Sequence, residues 1–117
     1  MCRRGDIYYA DLGAVTGSCQ CGMRPVIVVS NDAANTHSPV VTVVPLTTRI
    51  KRLYLPTHVV LHHNDVTGLN RRSLALCEQV RSLDKVRLME HIGSVTSGAV
   101  MDRITHALQV QIGVFPK

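Results

Sequence analysis

The chain has 117 residues, 45% of them hydrophobic with no Trp, one Phe and three Tyr, so a single domain over 1–117 with an aliphatic core is expected. No apolar run reaches the roughly 18 residues of a membrane helix, and Met1–Asp6 has no apolar signal-peptide core, which argues against membrane and secreted classes and for the cytoplasm. A net charge of +5, with ten Arg among thirteen basic residues, suits a polyanionic partner, though on charge alone a solvated basic surface is an equal reading.

Ile7, Tyr9 and Leu12, separated by polar residues, predict a first strand ending near Gly13. Residues 13–23 are rich in Gly and small polar types and read as a loop. Pro25–Val29 is a continuous apolar run, a strand buried on both faces that Pro25 can only begin, because proline has no N–H to donate. Asn31–Asn35 reads as a turn and Val40–Leu46 as the next strand. Thr57–Leu61 and Leu74–Val80 are two further strands, with a turn around Asn64–Asn70 that contains Gly68. Ser82–Asp84 can cap a short helix through Val86, Leu88 and Met89 toward His91. Thr96 or Ser97 then caps a last helix, whose stripe is Val100, Ile104, Ala107, Leu108 and Ile112. Five or six short strands followed by helices predict a mainly β, α+β fold built on a small, strongly curved sheet or barrel.

Four cysteines stand at 2, 19, 21 and 77. Cys19-Gln20-Cys21 is not a zinc pair and no second close pair completes a site, so reduced thiols are expected, with Cys77 in the core and the others near the surface. No phosphate-binding Gly-rich loop or nucleophile elbow is present, and the two Glu and six Asp are scattered. No metal site or cofactor is therefore expected. Of the six His, 62 and 63 would point to opposite faces of a strand, while 91 and 106 fall in expected helices; His58 is the best candidate for proton transfer.

Two stretches carry a specific resemblance. Arg4-Gly5-Asp6-Ile7-Tyr8-Tyr9-Ala10-Asp11-Leu12 resembles the opening of MazF/PemK-family toxins, and Gly17–Asp32, with Gly22-Met23-Arg24-Pro25 inside it, resembles their signature loop and second strand. The similarity continues through Pro45–Thr48, Leu55–Val59 and Glu78–Lys85, and so covers nearly the whole chain in order. It implies an SH3-like barrel with appended helices, close to the barrel of CcdB-like toxins. It also implies a homodimer and an endoribonuclease that cuts single-stranded RNA and is blocked by a MazE-like antitoxin. The resemblance makes Arg24 and Thr47 the catalytic pair, with Thr48 as a register alternative. It extends the RNA groove to Ser18, Cys19, Gln20, Pro56, His58, Glu78 and Gln79. Where the family commonly has Gly-Ser-Glu-Gln, this chain has Gly17-Ser18-Cys19-Gln20, and a thiol accepts hydrogen bonds from a base edge poorly.

The implied reaction is attack of a 2′-hydroxyl on the adjacent phosphorus, giving a 2′,3′-cyclic phosphate and a 5′-hydroxyl without a metal. A planar guanidinium offers two parallel donors to the phosphoryl oxygens and a Thr hydroxyl a third. Arg24 by itself reads more readily as a strand-end cation covering the barrel mouth than as a catalytic group, and Thr47 as an ordinary strand residue. Tyr8 or Tyr9 is either a base-stacking platform or core, and Arg81 a phosphate ligand or a surface charge. Two rival functions remain: a non-enzymatic, CcdB-like poison of DNA gyrase, and an RNA-binding module that leaves its ligand uncut. For the dimer, the apolar face of the last helix is one candidate contact.

Overall fold

The apolar run after Arg24 becomes β2 (Met23–Val28), in which Val26, Ile27 and Val28 are fully buried. Alternation along a strand sends neighbours to opposite faces. Ile27 accordingly packs with Ile7, Val44, Leu46 and Ile104, while Val26 and Val28 pack with Ala10, Val41, Val43 and Leu83. The strand divides two apolar clusters, the reason Val26–Val28 shows no polar position. The computed structural model describes residues 2–14, 17–50 and 55–114.

The other strands are β1 (Asp6–Asp11), β3 (Val40–Thr47), β4 (His58–Leu61), β5 (Ser73–Leu76), β6 (Arg81–Asp84) and β7 (Leu88–Ser94). All pairings are antiparallel, in the order β4-β5-β3-β2-β1-β7, with β6 on β3. β3 changes partners along its length: Val40–Val43 face β6, Val43–Pro45 face β2, and Leu46–Thr47 face β5. That exchange and the register shifts between β1 and β7 curl the sheet, since bulges add local twist. The result is a mainly β, barrel-like α+β fold closed by a C-terminal helix.

The helices are α1 (Asp32–His37) and α2 (Gly98–Gln111). α2 starts at Ser97, whose side chain accepts from the Val100 N–H at 3.3 Å, and it buries Val100, Ile104 and Ala107 in the larger cluster. Between β4 and β5 the chain crosses β7 with no room for a side chain. A Cβ at Gly68 would lie 2.1 Å from the Ile92 carbonyl oxygen, and one at Gly93 would lie 2.1 Å from that of Thr67. Gly68 also has φ +82, a left-handed conformation that glycine adopts without strain.

Several expectations change. Asn31–Asn35 is no simple turn: Asn31 caps α1, accepting from the Ala34 N–H at 2.8 Å. The helix expected from Ser82 toward His91 is β6, a 3-10 turn at Lys85–Arg87 and β7. Its Ser-Leu-Asp signal was real but short-ranged, because Asp84 caps only that turn, accepting from the Val86 N–H at 3.1 Å. His91 therefore lies on a strand, its ring 5.0 Å from that of Tyr8. The strand expected through Val80 ends at Leu76 in a 3-10 turn. Pro25 is third in β2 rather than first, which is tolerated because β3 joins only from Val26 and leaves that side open. Cys2 is buried beside Leu12 and Leu83 instead of near the surface. Ile112 lies past the end of α2 and is 71% exposed. Of the expected apolar stripe, Val100, Ile104 and Ala107 pack into the chain's own core and Leu108 against it.

Candidate active site

Pairing between β2 and β3 ends at Val26 and Pro45. Continuing the same register two residues sets Arg24 across from Thr47, where β3 has turned to β5. The strands open there into a cavity of about 760 Å³ whose wall includes both residues, together with Tyr9, Asn70, Arg71 and Ser73. Thr48 also lines it but is exposed, whereas Thr47 is 9% exposed. Among the described residues lining this cavity there is no His, Asp or Glu, so two guanidiniums face hydroxyl, amide and apolar neighbours without a countercharge.

Both principal side chains are partly tethered. Arg24 Nε donates to the Cys21 carbonyl at 3.1 Å, which orients the guanidinium and leaves its terminal nitrogens without a partner among the described residues. Thr47 Oγ1 accepts from the Arg49 N–H at 3.1 Å. A hydroxyl also donates, so the Thr47 proton remains available to an oxygen anion. Two tethered groups with free donors in one cavity suit a tetrahedral oxyanion centre, where fixed donors act without reorganising.

The remaining sequence-derived positions lie around this cavity rather than in it. Cys19, Gln20, Glu78 and Gln79 line a separate depression of about 270 Å³. Gln79 ties the loop down, accepting from the Gln20 N–H at 2.7 Å and donating to the Ser18 carbonyl at 3.4 Å. Pro56 and His58 line a cleft of about 490 Å³ against α2. His58 is not brought to Arg24. Its Nε2 lies 2.8 Å from Glu78 Oε2, and Thr57 donates to the other carboxylate oxygen at 3.2 Å. That contact joins the two outlying depressions. Arg81 donates to the Leu12 carbonyl at 3.2 Å, holding the foot of the loop.

Sequence reasoning missed Asn70, Arg71 and Ser73 as cavity residues. Arg71 is one of ten arginines in the sequence, and only the crossing at Gly68 and Gly93 sets the segment that carries it against the cavity. Tyr9 lines it too, at 41% exposure, whereas Tyr8 packs beside the second cluster. Cys77 is buried in the first cluster, and desolvation, then the neighbouring Glu78 charge, pushes its thiol up to about 12. No three His, Cys, Asp or Glu side chains among the described residues gather as a metal-holding cluster.

A curled antiparallel sheet that opens between two strand ends into a cavity lined by Arg24 and Arg71 defines a small mainly β domain. Residues 3–112 match the family model described as the PemK-like, MazF-like toxin of type II toxin–antitoxin systems. An endoribonuclease MazF of Staphylococcus saprophyticus is 41% identical over 97% of this chain and 93% of its own length. Among solved structures, an endoribonuclease in complex with its cognate antitoxin, from a mycobacterial species, superposes with a TM-score of 0.79 at 30% identity, covering 98% of both chains. MazF from Deinococcus radiodurans gives 0.79 at 25% identity, over 95% of this chain and 96% of its own. The chain belongs to the PemK-like, MazF-like toxin family.

Proposed function

We propose that the chain cuts single-stranded RNA at a phosphate held between Arg24 and Thr47, the single supporting observation being that these two side chains share one cavity with their donors free. The chain is an endoribonuclease of the MazF class. In the reaction the 2′-oxygen bonds to the neighbouring phosphorus and the bond to the 5′-oxygen breaks, leaving a 2′,3′-cyclic phosphate and a 5′-hydroxyl. The 2′-hydroxyl proton leaves to water and the departing 5′-oxygen takes one back, so no net proton is consumed. Arg24 stays charged, because a guanidinium loses its proton only above about pH 12. Its role is to neutralise the charge that builds on the phosphoryl oxygens while Thr47 donates a further hydrogen bond.

The strand of RNA extends from this cavity past the 18–20 loop, Glu78 and Gln79, and toward Pro56 and His58. Cys19 faces that path, so the cut sequence is this chain's own. A charge of +5 complements the acidic, partly disordered tail of an antitoxin, which blocks the same groove. That the mycobacterial relative was solved with its cognate antitoxin supports a partner of this kind. The working form is a homodimer in the cytoplasm; no helix among the described residues is long and apolar enough to cross a membrane. The gyrase-poison reading is not favoured, because the family match and the relatives named as endoribonucleases lie in the nuclease branch.

The test is cleavage of a long mixed-sequence RNA in EDTA, with end chemistry mapped. Cyclic phosphate and 5′-hydroxyl ends formed in EDTA are expected. Loss of cutting on chelation, or 5′-phosphate products, overturns the mechanism, and bound but intact RNA points to a binding module instead.

A further inference from the structure

We infer that Arg71 is a second phosphate-binding residue of this cavity, gripping the RNA backbone at a phosphate next to the one that Arg24 and Thr47 hold. The inference rests on the reading of the cavity as the RNA site, and it adds a residue that the family comparison did not supply.

Three observations carry it. First, Arg71 and Arg24 line the same cavity, and no carboxylate lines it among the described residues. Two like charges left together without a countercharge repel, and an anion relieves that repulsion. A cavity of about 760 Å³ is also larger than one phosphate group needs, and it falls within the roughly 300–1,000 Å³ of ordinary ligand sites.

Second, three of the other arginines near the sheet are in use. Arg4 donates to the Val29 carbonyl and to Thr105 Oγ1, Arg81 to the Leu12 carbonyl, and Arg87 pairs with Asp11. The Arg71 guanidinium makes no hydrogen bond or ion pair among the described residues. Its planar fork therefore stands free to meet two phosphate oxygens at once.

Third, the short segment that carries Arg71 is fixed at both ends. At the near end Thr67 N–H donates to the Ser94 carbonyl at 2.8 Å, Ser94 N–H donates to Thr67 Oγ1 at 2.9 Å, and Gly68 sits against Ile92. At the far end Ser73 pairs with Leu61 in β5, and its hydroxyl donates to the Arg71 carbonyl at 3.3 Å. The backbone under Arg71 is held before RNA arrives, which lowers the ordering cost of binding.

The test uses the full-length protein and a single-stranded RNA containing the mapped cut site, with a 2′-deoxy sugar at the attacking position so that it binds without reacting. Affinity is measured across a potassium chloride series for wild type, Arg71→Gln, Arg71→Lys and Arg72→Gln. Each phosphate contact on a single strand contributes about 0.7 to the slope of log affinity against log salt. Arg71→Gln is expected to flatten the slope by about 0.7 and weaken binding roughly tenfold. On cleavable RNA it raises KM with kcat little changed, the pattern of lost uniform binding. Arg71→Lys keeps the slope. Arg72→Gln removes the same charge from a residue outside the cavity wall and moves the slope much less. An unchanged slope in Arg71→Gln, or equal slopes in Arg71→Gln and Arg72→Gln, overturns the assignment while leaving the nuclease reading intact. A wild type that leaves RNA whole overturns the nuclease reading itself.

Discussion

At the scale of single residues the site depends on donors that are half used. Arg24 spends Nε on the Cys21 carbonyl and keeps its terminal nitrogens, while Thr47 spends an acceptor site and keeps its proton. Losing one such donor from a developing oxyanion typically slows chemistry by about 10²–10³. Arg24→Ala and Thr47→Ala are therefore each expected to cut RNA about 10²–10³-fold more slowly with melting temperatures close to wild type. Thr47→Ser, which restores the hydroxyl, should recover most of the rate in single-turnover assays. Equal loss in Thr47→Ser and Thr47→Ala would instead make the methyl group, not the hydroxyl, the working part. The thiols divide on similar physical grounds. Cys77 is buried and held protonated, with a pKa pushed up to about 12, whereas Cys19 is exposed and Cys21 half-buried. Only a thiolate attacks an alkylating reagent. Mass spectrometry after brief iodoacetamide treatment of folded protein should find label on Cys19 and Cys21 and none on Cys77. Label on Cys77 at the same rate would contradict its burial.

At the scale of elements, the crossing of 67–68 over β7 connects sequence to site. Neither glycine can carry a Cβ there, since each would meet a backbone oxygen at 2.1 Å, and a backbone oxygen cannot rotate away as a side chain can. Gly93→Ala is expected to lose about 1–3 kcal/mol or more of stability in urea unfolding, the range for overpacking. It should also lower RNA affinity, because the displaced segment carries Arg71. A Gly93→Ala protein as stable as wild type would show that β7 and the crossing segment separate freely. The same crossing explains why Asn70 and Arg71 were illegible beforehand. Their sequence marks a turn, and a turn says nothing of which wall it lies against.

At the scale of the whole molecule, the N-terminal segment is fastened by polar contacts that titrate. Asp32 accepts from the Arg4 N–H at 2.7 Å, and that bond, followed by one from the Asn35 side chain, holds its carboxyl below the ordinary aspartate range. A carboxylate depressed on folding stabilises above its unfolded pKa, and the contribution is lost as pH falls through the folded value. The melting temperature of wild type is thus expected to exceed that of Asp32→Asn near neutral pH, with the gap narrowing below about pH 4. A gap that stays constant through that acid range would remove Asp32 from the account. Because Arg4 also reaches Val29 and Thr105 on α2, this corner links the start of the chain, the end of β2 and the last helix.

Chain order, the buried central strand and the start of α2 were legible in the sequence, because periodicity and capping act over a few residues. The run Val26–Val29 announced a strand covered on both faces. What the sequence misread were β6 and β7, where a local Asp84 cap imitates a helix start. There the pairing of Val41 with Leu83 and of Tyr8 with His91, partners far away along the chain, outweighs local preference. Opposition of Arg24 and Thr47, the cavity between them and the presence of Arg71 in its wall belong to tertiary structure alone. They depend on antiparallel register and on two glycines meeting backbone to backbone, and those are relations between distant segments that no local pattern encodes.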